Sequence, residues 1–183
     1  MRIIAGKLKG RNIYCPAGRE IRPTPNLIRG AVFNVLSDRI AEARVLDLFA
    51  GAGTLGLEAY SRGAAEVFFV DRDPRAIAAI EKSIARFGGA GRLRTFRCDA
   101  FTFLQNDPAP FDVILADPPY RQDLLSRLLE FIAGGRLLKP QGIFMYQHHP
   151  KLTVPQAVEP LRLWKSRRHG NSQITFYNFC QES

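Results

Sequence analysis

The stretch "RVLDLFAGAGTLGLEAYSRG", residues 44–63, reads as a strand, a glycine turn and a helix in immediate succession. Residues 44–50 are rich in branched and aromatic side chains and contain one acid, Asp47. "GAGTLG" at 51–56 fits the pattern G-x-G-x-x-G. Glycine is needed at such a place because the chain must turn sharply and bring its backbone against a ligand, with the N–H groups of the next helix facing it. "TLGLEAYSRG" at 54–63 then puts apolar residues at spacings of three and four and ends in glycine, as a helix C-terminus prefers.

The same order repeats downstream. "EVFFVD" (66–71), "RLRTFRCD" (92–99), "FDVILAD" (111–117) and "GIFMYQH" (142–148) read as strands, and 73–89, 100–107 and 123–135 carry helical periodicity between them. Strand and helix in alternation with short connections predict an α/β fold, a doubly wound, mostly parallel sheet of Rossmann-like type with helices on both faces. In such sheets a ligand lies beyond the carboxyl ends of the strands. That rule gathers four acids onto one rim: Asp47 near the end of the first strand, then Asp71, Asp99 and Asp117 at the ends of the next three.

Length and composition fit one compact domain, 1–183, with 46% hydrophobic residues and a net charge of +9. No apolar run approaches the roughly 18–20 residues of a membrane span, and "MRIIAGKLKGRNIY" lacks the apolar core of a signal peptide, so a cytoplasmic location is expected. Cys15, Cys98 and Cys180 are too few and too widely spaced for a disulfide framework or a zinc site. The charge is unevenly placed. Residues 1–44 carry an excess of six cations, 45–150 are balanced, and 151–183 carry an excess of three. A neutral core at 44–150 between basic ends at 1–40 and 151–183 suggests a small ligand in the middle and a polyanion at the ends.

The glycine pattern with Asp71 twenty positions beyond Gly51 is also the spacing of a dinucleotide site, and a nicotinamide-dependent oxidoreductase is one reading. Asp47 argues against it, because an acid four residues before Gly51 would face and repel a pyrophosphate. A cationic ligand bearing a ribose fits better. "DLFAGAGTLG", "VDRDP", "RCDA" and "DPPY" together resemble the motif series of S-adenosylmethionine-dependent methyltransferases. The resemblance makes Asp47, Phe49, Gly51 and Gly53 the cradle for the methionine end, Asp71 the ribose acceptor, and Asp99 with the backbone at Ala100 the adenine contacts. Asp73 competes with Asp71, but "DP" suits a helix start, with Asp73 as cap and Pro74 as first helical residue. No metal is expected.

"DPPY" at 117–120 is the fourth strand's exit. An exocyclic amino nitrogen is a poor nucleophile, and acceptors for its hydrogens would hold it in line with a methyl carbon. Asp117 offers a carboxylate and Pro118 a carbonyl; Pro118 and Pro119 restrict φ, and Tyr120 offers a face for stacking. The motif resembles that of enzymes methylating amino groups of adenine, cytosine or guanine. "MRIIAGKLKGR", "RPT", "VFNVLSD", "DLFAGAGTLGLEAYSRGA", "DPPY" and "RRHGNSQITFY" extend the resemblance, essentially end to end, to the bacterial 16S rRNA guanine-N2 methyltransferase family that modifies guanine 966. It implies 16S rRNA or the assembling small subunit as partner, and a monomeric enzyme without membrane attachment. Pro25, Asn26 and Gly30 depart from the family's usual residues.

Residues 1–14 read as a two-stranded β ribbon whose Arg2, Lys7, Lys9 and Arg11 suit a phosphate backbone. A helix follows, with Thr24 as cap, Pro25 at its first position and Ile28, Val32, Val35 and Leu36 as its apolar face. Arg22 and Arg29 are placed towards the substrate, and Arg167 and Arg168 near the C-terminus towards RNA. "QHHP" at 147–150 reads as a loop pair, because no further ligand stands at metal spacing. Trp164 and Tyr177 could stack on RNA, although packing is the commoner use of such rings. Two other readings stay open on the residues alone: amino methylation of DNA or another RNA, and a nucleic-acid-binding protein without catalysis.

Overall fold

The computed structural model describes residues 1–16, 26–106, 109–119 and 124–180. An N-terminal segment leads to α1 (Asn26–Leu36) and a 3-10 turn (Ser37–Ile40). The alternating core follows as β1 (Arg44–Leu48), α2 (Thr54–Ser61), β2 (Glu66–Asp71), α3 (Pro74–Phe87), β3 (Leu93–Arg97), α4 (Ala100–Gln105), β4 (Phe111–Ala116), α5 (Leu125–Gly134) and β5 (Leu138–His148). The chain closes with β6 (Ala157–Val158), β7 (Leu161–His169) and β8 (Ser172–Phe179).

Among the described residues, the eight strands form one sheet in the order β3-β2-β1-β4-β5-β8-β7-β6. β1 to β5 are mutually parallel, whereas β8 runs antiparallel to β5 and β7 antiparallel to β8. The strand order reverses between β1 and β4, and there a doubly wound sheet opens a crevice. β7 and β8 are joined through Gly170, whose φ of 58° supplies the left-handed turn of a two-residue hairpin.

Alternation along the strands assigns each face its own core. Val45, Val67, Phe69, Val113, Leu115, Ile143 and Phe176 face α1, α2 and α3. Leu46, Leu48, Phe68, Ile114, Phe144 and Tyr177 face α4 and α5. α5 buries Leu125, Leu128, Leu129 and Ile132, a stripe at helical spacing, each side chain stabilising by about 2 kcal/mol on burial. α2 differs, because all eight of its residues are buried. The sheet lies under it, and the N-terminal segment covers its outer side.

That segment is the expected ribbon in a very short form. Residues 1–14 close through a single antiparallel bridge, Arg2 to Asn12, around turns at Gly6 and Gly10, whose φ values are 79° and 81°. The Ile3 N–H donates to the Arg11 carbonyl at 3.0 Å, the Gly10 N–H to the Ile3 carbonyl at 2.9 Å and the Ile13 N–H to the Met1 carbonyl at 2.8 Å, while the turn between the two arms is fastened to α2. Ile4 and Ala5 N–H donate to the Glu58 carboxylate at 2.9 and 3.0 Å, Leu8 N–H donates to Ser61 Oγ at 2.9 Å, and Lys7 N–H to the Ser61 carbonyl at 2.8 Å. β5 also starts earlier than its predicted 142. Phe111 pairs with Leu138 but Val113 with Ile143, so the stretch around Pro140 bulges from the ladder. Proline has no N–H to give it.

Candidate active site

The loop from β1 to α2 is wound by three residues of positive φ: Phe49 at 60°, Gly51 at 56° and Gly53 at 71°. The Gly53 N–H donates to the Ala50 carbonyl at 2.7 Å and the Ala50 N–H to the Val70 carbonyl at 3.1 Å, tying the turn to β2. A Cβ on Gly53 would lie 2.9 Å from Ile80, and one on Gly56 would lie 2.3 Å from the Phe69 ring. Close packing therefore requires these two glycines. Gly51 has open space instead, with the Phe49 carbonyl at 4.0 Å as nearest neighbour of an added Cβ. Its backbone is the part of the loop that a ligand can approach.

Asp71 fastens this loop from the side. Its Oδ2 accepts the Gly51 N–H at 2.8 Å and its Oδ1 the Asp73 N–H at 2.8 Å. Asp71 is only partly buried, so each oxygen keeps a lone pair for a further donor. Asp73 caps α3: its carboxylate accepts the Arg75 N–H at 2.9 Å and pairs with the Arg75 guanidinium, and Pro74 takes the first turn as expected. Asp99 caps α4 through the Phe101 N–H at 2.9 Å and stands exposed, while the Ala100 side chain is buried.

Asp47 forms the floor. It is buried, and its Oδ2 accepts the Gly56 N–H at 2.8 Å. Burial, the largest cause, holds its carboxyl well above the ordinary 3.8; the Gly56 bond opposes this, and the charges of Asp117 and then Asp71 add to it. The folded state therefore binds the Asp47 proton more readily than the unfolded chain does. Its contribution to stability is full below pH 3.8 and is lost as pH rises through the raised folded value. Asp47→Asn keeps an acceptor for Gly56 and removes the buried charge. Its melting temperature rises at neutral pH, by about 2–4 °C per kcal/mol relieved, and its stability varies less with pH above the ordinary carboxylate range. Thermal unfolding at acid and neutral pH measures this; a lower melting temperature at neutral pH would mean that the ionised carboxylate stabilises the fold.

Asp117 is the first residue past β4. Ala116 pairs with Leu48 on one side and Tyr146 on the other, so Asp117 leaves the sheet level with Phe49 and Gln147, over the reversal of strand order. Pro118 is buried and Pro119 exposed. Tyr120 and Arg22 lie outside the described residues, as do Thr24 and Pro25. The structure thus brings Asp47, Asp71 and Asp117 to one side of the glycine loop. A crevice ringed by three carboxylates with Gly51 open above it favours a cationic ligand, and an S-adenosylmethionine sulfonium and ammonium fit that charge.

Arg29 does not face a substrate. It is fully buried, and its Nη2 donates to the Arg2 carbonyl at 2.5 Å and to Asn26 Oδ1 at 2.9 Å. Its Nε stands 3.7 Å from Glu58 Oε2, and Arg62 Nε stands 2.9 Å from Glu58 Oε1. Burial lowers the Arg29 pKa below its usual value, Glu58 opposes this, and Arg62 adds to it. This arginine is internal glue between α1, α2 and the N-terminus. Asn26, one of the departures from the family pattern, is a partner in it. Glu58 is the residue that pattern reading missed; its signal is an acid set within an otherwise apolar helix.

The remaining predicted RNA contacts are exposed: Arg2, Lys7, Lys9, Arg11, Arg167 and Arg168. Lys7 covers the Tyr60 ring at 3.7 Å, near the C-terminal end of α2, about 9 Å by helical rise from the start of that helix at the glycine loop. Arg167 sits higher. It pairs with Ile174, which pairs with Gln147, so it shares a row with Asp117. His148 is buried, with Nδ1 against the His149 carbonyl at 2.9 Å and Nε2 against Thr175 Oγ1 at 2.8 Å. Tyr177 is core, its hydroxyl donating to the Pro155 carbonyl at 2.8 Å. Among the described residues no group of three side chains is placed to hold a metal, and no helix is long and apolar enough to cross a membrane.

Residues 1–178 match the family described as "Conserved hypothetical protein 95". The chain belongs to this family. Its relatives include the ribosomal RNA small subunit methyltransferase D of Escherichia coli (strain K12), 32% identical across 97% of this chain and 89% of that one. YlbH of Bacillus subtilis (strain 168) is 32% identical across 97% and 98%. The solved structure of yhhF from Escherichia coli superposes with a TM-score of 0.88 at 30% identity, covering 98% of this chain and 97% of that one. The fold of the family is the class I methyltransferase fold, and the sheet order described above is its instance here.

Proposed function

We propose that this chain transfers the methyl group of S-adenosylmethionine to the exocyclic N2 amino group of a guanine of the G966 type in 16S rRNA, acting as a cytoplasmic monomer on the small ribosomal subunit or its assembling form. The observation that carries the reading is the placement of Asp117 beside the glycine loop and above the buried Asp47. The small-subunit methyltransferase relatives support the choice of polymer.

Asp47, Phe49, Gly51 and Gly53 hold the methionine end, Asp71 the ribose hydroxyls, and Asp99 with the Ala100 backbone the adenine. When bound, S-adenosylmethionine supplies a methyl carbon made electrophilic by its sulfonium. Asp117 accepts one N–H of the guanine amino group and the Pro118 carbonyl the other, which turns the nitrogen lone pair towards that carbon. The methylated nitrogen would carry a positive charge, which the Asp117 carboxylate would steady until that nitrogen's proton passes to solvent. Pro118 and Pro119 fix the acceptors, and Tyr120 stacks on the base. S-adenosylmethionine raises the melting temperature of the native chain and NAD does not; the reverse ranking would restore the dinucleotide reading.

Residues 1–40 and 151–183 flank the catalytic core and hold RNA. Alanine at Lys7, Lys9 and Arg11 together weakens RNA binding and lowers the slope of log affinity against log salt by up to about 2–3. A slope equal to that of the parent chain would remove these three from the RNA surface.

A further inference from the structure

Trp164 is held where a ring gains little from the fold. Leu163 pairs with Tyr177 and Lys165 with Phe176, so Trp164 is the extra residue of a β-bulge. Its ring meets Phe176 only edge-on, at 6.3 Å and 83°, and the residue stays 39% exposed. Lys165 Nζ lies 5.0 Å and the Arg39 guanidinium 5.9 Å from its centroid. β6 pairs with Leu161 and Arg162 and the Gln156 carbonyl accepts the Leu163 N–H at 2.9 Å, so from Trp164 onward β7 is the open edge of the described sheet.

The charged groups that approach this ring are both cations, Lys165 and Arg39. Residues opposed across an antiparallel pair share a face. Lys165 stands opposite Phe176 and Arg167 opposite Ile174, which puts both cations on the face of α1, with Trp164. Between Lys151 and Cys180 the chain has a single acid, Glu159, and it is paired with Arg162 at 2.9 Å. Arg167 lies in the row of Asp117, three strands away, roughly 14 Å at ordinary strand spacing. An exposed aromatic face, edged by cations and in line with the candidate catalytic acid, has the composition of a single-strand stacking platform.

We infer that Trp164, with Lys165, Arg167 and Arg39, is a second RNA contact, on which an unpaired base flanking the target stacks while the cations take the adjoining phosphates. The inference rests on the rRNA reading of the substrate and adds to it the surface that holds the strand outside the active site.

Trp164 is the only tryptophan in the chain, so its emission reports on this position alone. Titration with naked small-subunit rRNA, and with a short unstructured RNA oligonucleotide, quenches that emission saturably. Trp164→Ala raises KM for RNA about tenfold, with the loss in KM rather than kcat, and leaves S-adenosylmethionine affinity as it was; Trp164→Phe restores most of the loss. Lys165→Glu with Arg167→Glu raises KM further and flattens the salt dependence. RNA that binds and is methylated without changing Trp164 emission would overturn this contact and leave the proposed function standing. Quenching by RNA in a chain that methylates no RNA would sink the function and keep the contact. A KM raised for the assembled subunit but not for naked RNA, without quenching, would assign the surface to a protein neighbour and overturn the proposal.

Discussion

Asp117→Ala lowers the rate of methyl transfer by about a thousandfold and leaves S-adenosylmethionine affinity within a small factor of the parent. The size follows from the role. A positioned acceptor that both aligns the nitrogen and steadies its developing charge is worth about 10²–10³ in rate when removed alone. Cofactor affinity is expected to survive because Asp47, Gly51 and Asp71 are held by their own bonds to Gly56, Asp71 and Asp73, none of which uses Asp117. Losing the Asp117 charge also relieves Asp47, whose carboxyl it helps hold high, so Asp47 ionises at lower pH in the variant. Asp117→Asn is informative beside it: the amide keeps one acceptor but turns a donor towards the amino group, so its activity stays far below the parent's. Single-turnover kinetics with a separate binding titration distinguish the two effects. A variant that loses cofactor affinity in proportion to rate would mean that Asp117 belongs to the cofactor site.

Glu58→Ala is expected to cost about 3–5 kcal/mol, the range for breaking a buried ion pair by removing one partner. At about 2–4 °C per kcal/mol for a chain of this length, the melting temperature falls by roughly 6–20 °C. The substitution strands the buried Arg29 guanidinium and orphans the Ile4 and Ala5 N–H groups that the carboxylate accepts. Replacing Arg29 and Glu58 together by Met and Leu recovers the part of the loss due to the stranded guanidinium, while the Ile4 and Ala5 N–H groups and Arg62 stay without that carboxylate. Thermal unfolding of the two single variants and the pair gives the coupling directly; a drop below about 2 °C in Glu58→Ala would contradict the hub described here.

Most of the frame was legible because local pattern and tertiary role agree there. The first strand, read over 44–50 and found at 44–48, the turn at 51–53, Asp73 and Pro74 at the start of α3 and the exit at Asp117 each follow from residues close in sequence. The misreadings share one physical origin: a partner far away in the chain. Arg29 was placed towards the substrate because its anion, Glu58, is 29 residues on, and although the ribbon of residues 1–14 was legible, its docking on α2 was not, since that same carboxylate and Ser61 take the N–H groups of its turn. Asp71 was legible as an acid at the rim, but its hold on Gly51 was not, since spacing alone does not show which oxygen faces which amide.

The most direct test of the account is transfer of labelled methyl from S-adenosylmethionine to unmethylated small ribosomal subunits, free 16S rRNA and duplex DNA in parallel, followed by nucleoside analysis. The account predicts label recovered as N2-methylguanosine from one or both ribosomal samples and none from DNA. Label in DNA, or recovered as methyladenine or methylcytosine, would contradict it.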